Sequence, residues 1–325
     1  MNAVSGWNVL HIRFTAYMIR LIIKLISATS LFMFFACVAH ASSGCGDNGV
    51  AVQVLGSGGP EITDQRASSA YLIWQDGRAR VLIDMGPGSM LRYEESGARL
   101  EDLDVILLSH LHVDHSADLP ALIKGAFFTG RERDLPIYGP TGNQFMPNTK
   151  DFVQALFASP DGTFHYLDDY LTGNESYRLR AFNVEAVGDS PTKVIDDGRF
   201  HLTAVPVHHG SLPALAWRVD IAGKHLVFSG DMNGDNHTLE LLAFNADLLV
   251  AHHAIPESMG GVARNLHMPP SVIGKIAAMA SVKHVVLSHR MRRTIGLETE
   301  STEEIRKHYN GPLVFSEDGQ CFAVE

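Results

Sequence analysis

The chain has 325 residues, 46 % of them hydrophobic, and a formal net charge of −10. That length and apolar content hold one large core or two small ones. The acidic total repels a phosphate backbone, so no nucleic acid is expected as a partner.

At the amino terminus Arg20 and Lys24 precede an apolar run from Leu25 to Val38, and Ala39-His40-Ala41 supplies a small-x-small cleavage pattern. Residues 1–41 read as a secretory signal peptide cleaved after Ala41, with Met18 as an alternative start. The apolar run is short for a membrane span and carries Ser27, Thr29 and Ser30, so the membrane is met only through this segment. Residues 42–325 are then one exported domain, periplasmic or secreted. Cleavage leaves Cys45 and Cys321, which an oxidising compartment would allow to pair; two separate thiols fit the sequence equally well.

Val50–Leu55 predicts a strand that ends in Gly56-Ser57-Gly58-Gly59-Pro60. With no Gly-Lys-Ser/Thr and no G-x-G-x-x-G, the glycines read as a tight turn rather than a phosphate cradle. Residues 70–74 and 79–84 flank an Asp76-Gly77 hairpin signal. A helix is expected near 89–96, and a second from Asp118 to Phe128, with Asp118 as its N-cap and Pro120 in its first turn. Between them, the apolar strand 104–108 runs into Ser109-His110-Leu111-His112-Val113-Asp114-His115-Ser116. Four metal-capable side chains within six residues, straight after a buried strand, predict a metal site. Imidazole with carboxylate suits zinc, which takes nitrogen at ~2.0–2.1 Å.

Residues 136–140 read as a strand, and 141–200 as a helix near 150–157 followed by short strands. The second half repeats a theme. Strand 202–207 ends at His208-His209, and strand 225–228, paired through Ala222-Gly223 with 214–220, ends at Ser229-Gly230-Asp231. Strand 247–250 ends at His252-His253, and strand 284–287 ends at Ser288-His289 after a helix over 269–280. Residues 313–315 and 321–324 are expected to close the chain as a hairpin around Glu317-Asp318-Gly319. In sheets covered by helices, ligands collect where strand ends converge. So many strand ends of one chemistry predict a dinuclear centre. His110, His112 and one of His208/His209 would hold one ion, and Asp114, His115 and His289 the other, with Asp231 bridging through its two oxygens.

His110-x-His112-x-Asp114-His115, the later His before Pro213-x-Leu215-x-Trp217-Arg218, Ser229-Gly230-Asp231 and Leu287-Ser288-His289 together resemble the metallo-β-lactamase superfamily. The opening Leu55–Pro60 and the closing Glu317-Asp318-Gly319 are similar to its ribonuclease Z and arylsulfatase-like branch, and the resemblance runs from about Val50 to the end. It implies a four-layer αβ/βα sandwich of the α/β class with two Zn2+ ions, or other divalent transition metals, at the sheet edge. His209 is preferred over His208, because the branch places its ligand His before a small residue and a Pro. Where the branch has His-Glu-Ala, this chain has His252-His253-Ala254. The branch's later catalytic His is matched by His267.

These residues imply an exported zinc hydrolase that attacks a small ester, a phosphodiester or sulfate ester, with a hydroxide held between two ions. Asp114 would orient the hydroxide, and His267 or His253 would protonate the leaving group. The missing Glu, the lack of a basic arm and the export signal argue against RNA processing. A lactonase or β-lactamase, and a non-catalytic metal-binding protein, are the alternatives.

Overall fold

The computed structural model describes residues 44–325, so the expected signal peptide lies outside the described residues. In chain order the described elements begin with β1 (Val50–Gly56), β2 (Ala70–Gln75), β3 (Arg78–Ile83) and helix α1 (Ser89–Glu95). Next come β4 (Val105–Leu107), α2 (Val113–Ser116), α3 (Leu119–Ala126), β5 (Leu135–Pro140), α4 (Thr149–Phe157), α5 (Asp169–Thr172) and β6 (Leu179–Val184). The second half holds β7 (Thr192–Asp196), β8 (Phe200–His209), β9 (Leu212–Ile221), β10 (Lys224–Phe228), α6 (Thr238–Leu242), β11 (Leu248–His252), α7 (Gly261–Leu266), α8 (Pro270–Met279) and β12 (Val285–Ser288). It ends with α9 (Glu298–Arg306), β13 (Leu313–Phe315) and β14 (Cys321–Val324).

The strands form two seven-stranded sheets, ordered β14-β1-β2-β3-β4-β5-β6 and β13-β12-β11-β10-β9-β8-β7. Each joins an antiparallel meander to a parallel run: β3 to β6 in the first, β10 to β13 in the second. Side-chain alternation sorts each strand between two faces. On β2, Tyr71 and Ile73 point between the sheets and meet Leu215, Trp217 and Phe228, while Leu72 and Trp74 point outward against the helices of the first half. The outer face of the second sheet packs Val227, Leu249 and Leu287 against Leu239, Ile273 and Ile276 of α6 and α8. Helix, sheet, sheet and helix make the expected four-layer αβ/βα sandwich.

Two turns follow their sequence signals closely. Asp76-Gly77 and Ala222-Gly223 both carry positive φ at both central residues, the twist a two-residue hairpin requires. Two expectations fail. The end of the chain is not a hairpin: β13 joins β12 in parallel in the second sheet, while β14 pairs with β1 in the first. Asp318, in the connection between β13 and β14, accepts from Ser57 N and Ala67 N, which fastens the Asp-Gly turn to the segment between β1 and β2. Asp118 sits at the N-cap position of α3, but its carboxylate accepts from Met90 N and so caps α1. Cys45 and Cys321 are joined in a disulfide that ties the first described turn to β14 across 276 residues of sequence.

Candidate metal centre

Every strand that feeds the site stops at the same edge. β4 ends at Leu107, and the next residues turn sharply, because Ser109 N and Oγ donate to the two oxygens of Asp84 at 2.7 Å each. Asp84, just past β3, adopts a positive φ of 56°, a strained conformation for a non-glycine residue. From there His110 and His112 point to one side. The single turn α2 carries Asp114 and His115 inward and leaves Val113 exposed. Gly86 packs against that turn, where an added Cβ would lie 2.1 Å from the Asp114 carbonyl oxygen.

The second sheet supplies the other side from separate strand ends. β8 alternates at its last two residues, so His209 is buried in the site while His208 is exposed and pairs with Asn233. Gly230 takes a positive φ after β10 and delivers Asp231, which is buried. His252 closes β11, and His289 follows β12 in the left-handed region, with φ of 53°. Gly59 of the glycine-rich turn lies against the His289 ring, where a Cβ would stand 2.7 Å from Cε1. That turn therefore serves close packing at the site edge. The sheets are clamped just behind the site: Leu215 N donates to Ser109 O at 2.9 Å and Trp217 Nε1 to Leu108 O at 3.0 Å.

Asp231 lies at the centre. Its Oδ2 stands 3.7 Å from His115 Nε2 and from His209 Nε2 and 4.0 Å from His110 Nε2; its Oδ1 stands 3.3 Å from His289 Nε2. Asp114 Oδ2 is 3.3 Å from the same His289 nitrogen. Two groups of donors converge, His110, His112, His209 and Asp231 in one, His115, Asp231, His252 and His289 in the other. All seven residues expected as ligands are thus brought together.

The nitrogens fit a cation. His110 Nε2 and His112 Nδ1 lie 3.0 Å apart, with His209 Nε2 3.4 Å from the latter. Leu266 O at 2.9 Å takes the proton of His209 Nδ1, which leaves the Nε2 lone pair facing the others. Asp84 Oδ2 at 2.7 Å takes that of His115 Nδ1, so Nε2 is presented, and it has no hydrogen-bond partner. Both nitrogens of His289 are likewise buried without one. Converging lone pairs and orphaned buried nitrogens are costly unless a cation takes them up. A carboxylate behind a ligating imidazole is also the usual support for a metal-bound histidine.

The protonation pattern has the same sense. Burial, then the neighbouring His115 and His209, pushes His110 well below its usual range; burial also lowers His112 and His209. For His115 burial acts downward, but Asp84 and Asp114 outweigh it and raise the imidazole to about 9. His289 is raised in the same way, by Asp231 and Asp114 against burial. Burial opposes ionisation of Asp231 and Asp114, and the surrounding imidazoles reverse this, so both carboxyls sit below the usual range. The centre holds carboxylates that need positive charge and imidazoles that are neutral or charged according to which carboxylate they face.

His267 enters the site from the end of α7. Its Nδ1 is unpartnered, 3.8 Å from Asp231 Oδ2. With Pro60, Leu266 and Met291 it lines a cavity of about 170 Å³ over the donors. His253 does not enter it. As the next residue of an extended chain after His252 it points to the opposite side, where Nε2 pairs with Ser301 Oγ at 2.9 Å and the ring packs on Phe315. The expectation that His253 acts on the leaving group is therefore withdrawn.

Three contributors carry no metal motif of their own. Asp84 orients His115, as described. His252 donates from Nδ1 to Asp231 Oδ1 at 2.7 Å and accepts from Tyr71 at 3.0 Å, so both its nitrogens are engaged in holding Asp231. Tyr71, wholly buried between the sheets, completes that chain. The signal available for Asp84 was the acid at the end of a buried strand, two residues before Gly86; for Tyr71 there was none.

Residues 79–290 match the family model described as the β-lactamase superfamily domain. Ribonuclease Z of Haloferax volcanii is 29 % identical over 304 residues, covering 83 % of this chain and 93 % of that protein. Among solved structures, the metallo-β-lactamase fold protein YhfI of Bacillus subtilis aligns with a TM-score of 0.65 at 22 % identity, over 85 % of this chain and 100 % of that one. The short form of human tRNase Z aligns at 0.65 and 20 % identity, over 85 % and 99 %. A relative named as a ribonuclease, similar over nearly its whole length, overturns the expectation of a small ester substrate with nucleic acid excluded. The physical error is that net charge describes the far field of the whole molecule, while a phosphodiester is held by the local charge of the site.

Proposed function

The chain belongs to the β-lactamase superfamily and is a metal-dependent hydrolase, and from that premise we propose that it hydrolyses phosphodiester bonds, RNA among its substrates, at a centre of two divalent metal ions, zinc foremost. The observation that carries this reading is the pair of donor sets that share Asp231. One set would be His110, His112 and His209; the other would be His115 and His289 with Asp114, whose Oδ2 stands 3.3 Å from His289 Nε2, in place of His252, whose nitrogens are both hydrogen-bonded. Ions bound there would supply Lewis acidity toward phosphate oxygens and an acidified water.

The chain's own residues do the positioning. Asp231, held at Oδ1 by His252, presents Oδ2 to His110, His209 and His115 and Oδ1 to His289, and so faces both donor sets. Asp114, within reach of His289 and the cavity, orients the attacking oxygen. His267 faces the same cavity with a free ring nitrogen and is placed to hydrogen-bond an oxygen of the scissile group. Pro60, Leu266 and Met291 make the mouth apolar, which keeps these interactions strong. Similarity to ribonuclease Z supports the choice of a phosphodiester.

Export is part of the proposal. The Cys45–Cys321 disulfide favours an oxidising compartment, in line with a signal cleaved after Ala41. Intact-mass analysis of protein recovered from cell fractions reads this directly, and a cytoplasmic chain with an uncleaved amino terminus overturns it.

The test of function combines elemental analysis with assays of a short RNA, bis-p-nitrophenyl phosphate, p-nitrophenyl sulfate, a lactone and nitrocefin. About two metal equivalents with cleavage confined to the phosphodiesters are expected. Turnover of the lactone or nitrocefin alone would overturn the substrate class.

A further inference from the structure

Beside the metal centre, on the outer side of the first sheet, lies an open cavity of about 600 Å³. That is the size of a small-molecule site. Its floor is apolar, with Leu111, Pro120, Phe152 and Leu156, and its rim carries Lys124 and Tyr166. The metal motif forms one wall. Leu111 and Val113, the two neighbours of His112, line this groove, while His112 itself lines the metal cavity. Consecutive Cα atoms are about 3.8 Å apart, so the groove begins one residue from a candidate ligand. Helix α2 thus presents Asp114 and His115 to the centre and Val113 and Ser116 to the groove, with Ala117 after it also in the lining.

The rim has a chemistry that packing alone does not require. Tyr166, which lines the groove, is 63 % exposed and so offers an open aromatic face. The Lys124 ammonium lies 4.4 Å from the Phe127 ring centroid, 5.4 Å from Phe128 and 5.9 Å from Tyr166. Flat aromatic faces beside a single cation, next to a centre for phosphodiesters, match one kind of occupant. An unpaired nucleobase stacks on aromatic faces, and the phosphate attached to it meets the ammonium. An aliphatic chain would fill the floor but would leave the cation and the exposed rings without a role.

Resting on the phosphodiesterase reading above, we propose that this groove is a base-stacking subsite for an unpaired nucleotide flanking the scissile phosphodiester, with Tyr166 as platform and Lys124 as phosphate partner. Ala121 is exposed on α3 and lines the groove, so Ala121→Trp fills it without disturbing the core or the metal ligands.

The experiment uses the full chain and has two readouts. The first is the fluorescence of a tetranucleotide RNA with a phosphorothioate backbone and one 2-aminopurine. Quenching by the unaltered protein, weakened about tenfold in affinity by Ala121→Trp and by Tyr166→Ala, is expected from the loss of one stacked base. The second is kcat/KM, which should fall about tenfold on a short RNA in both variants and stay unchanged on methyl p-nitrophenyl phosphate, a diester with no base. Equal affinity and quenching in all three proteins overturns the subsite. So does a selective loss on a diester bearing an acyl chain, or a change of oligomeric state as the sole effect of Ala121→Trp; these would assign the groove to a lipid or to a second copy. Binding is read without turnover. A chain that cleaves no phosphodiester but still quenches the probe through Tyr166 retains the nucleotide subsite and loses the proposed reaction.

Discussion

The two sides of the metal centre are built in different ways. On the first sheet one short segment after β4 provides His110, His112, Asp114 and His115, and its shape is set by neighbours in the chain and by Asp84. On the second sheet His209, Asp231, His252 and His289 each come from the end of a different strand. The first side is a local motif. The second exists only while the strands keep their register, since a slip of one residue would turn His209 out and His208 in. Function at this edge therefore depends on how firmly the sheets are held together.

The sharpest break of this comparison is Asp231→Ala, which removes the group both sides share. At least one metal equivalent should be lost by elemental analysis, with activity down at least about 10³-fold. Two ions retained with full turnover would refute the shared role.

Next in size is the clamp. Trp217 is fully buried between the sheets and donates to Leu108 O, directly before the motif. Trp217→Ala should cost about 3–5 kcal/mol in chemical denaturation and weaken metal binding although it touches no ligand. If metal affinity were untouched, the two sides would not depend on sheet docking. The disulfide acts at β14, the edge strand of the first sheet. Removing it with Cys45→Ser and Cys321→Ser together should lower stability by about 2–5 kcal/mol and leave kcat unchanged.

Asp84→Asn tests the local side. It keeps the shape but weakens the carboxylate support of His115, so affinity for zinc should fall about 10–100-fold in a chelator competition. An unaltered affinity would make Asp84 a turn residue alone. The smallest effect is expected from His208→Ala. This side chain is exposed and bonded to Asn233, so stability should change by less than about 0.5 kcal/mol and metal content not at all, whereas His209→Ala should lose metal.

Much of the fold was legible because period-two burial and turn chemistry are local. The Asp76-Gly77 and Ala222-Gly223 hairpins and the helices near 89–96, 150–157 and 269–280 follow from residues within a few positions of each other. The misreadings share a cause. Leu313–Phe315 and Cys321–Val324 look like hairpin partners because they are close in sequence, but each is claimed by a different sheet. Asp118 looks like the cap of its own helix, yet Met90 N lies nearer to its carboxylate.

By itself the sequence determined the local motif around His110–His115, the strand-and-helix alternation and the residue types gathered for a cation. Those properties come from side-chain chemistry and from spacings of a few residues. Only the tertiary structure decided which of two adjacent histidines faces the centre, at His208-His209 and again at His252-His253. It alone brought Asp84 behind His115 and Tyr71 behind His252, and it set the apolar groove one residue from His112. Strand alternation fixes that neighbours point to opposite faces; which face is inside depends on where the second sheet lies.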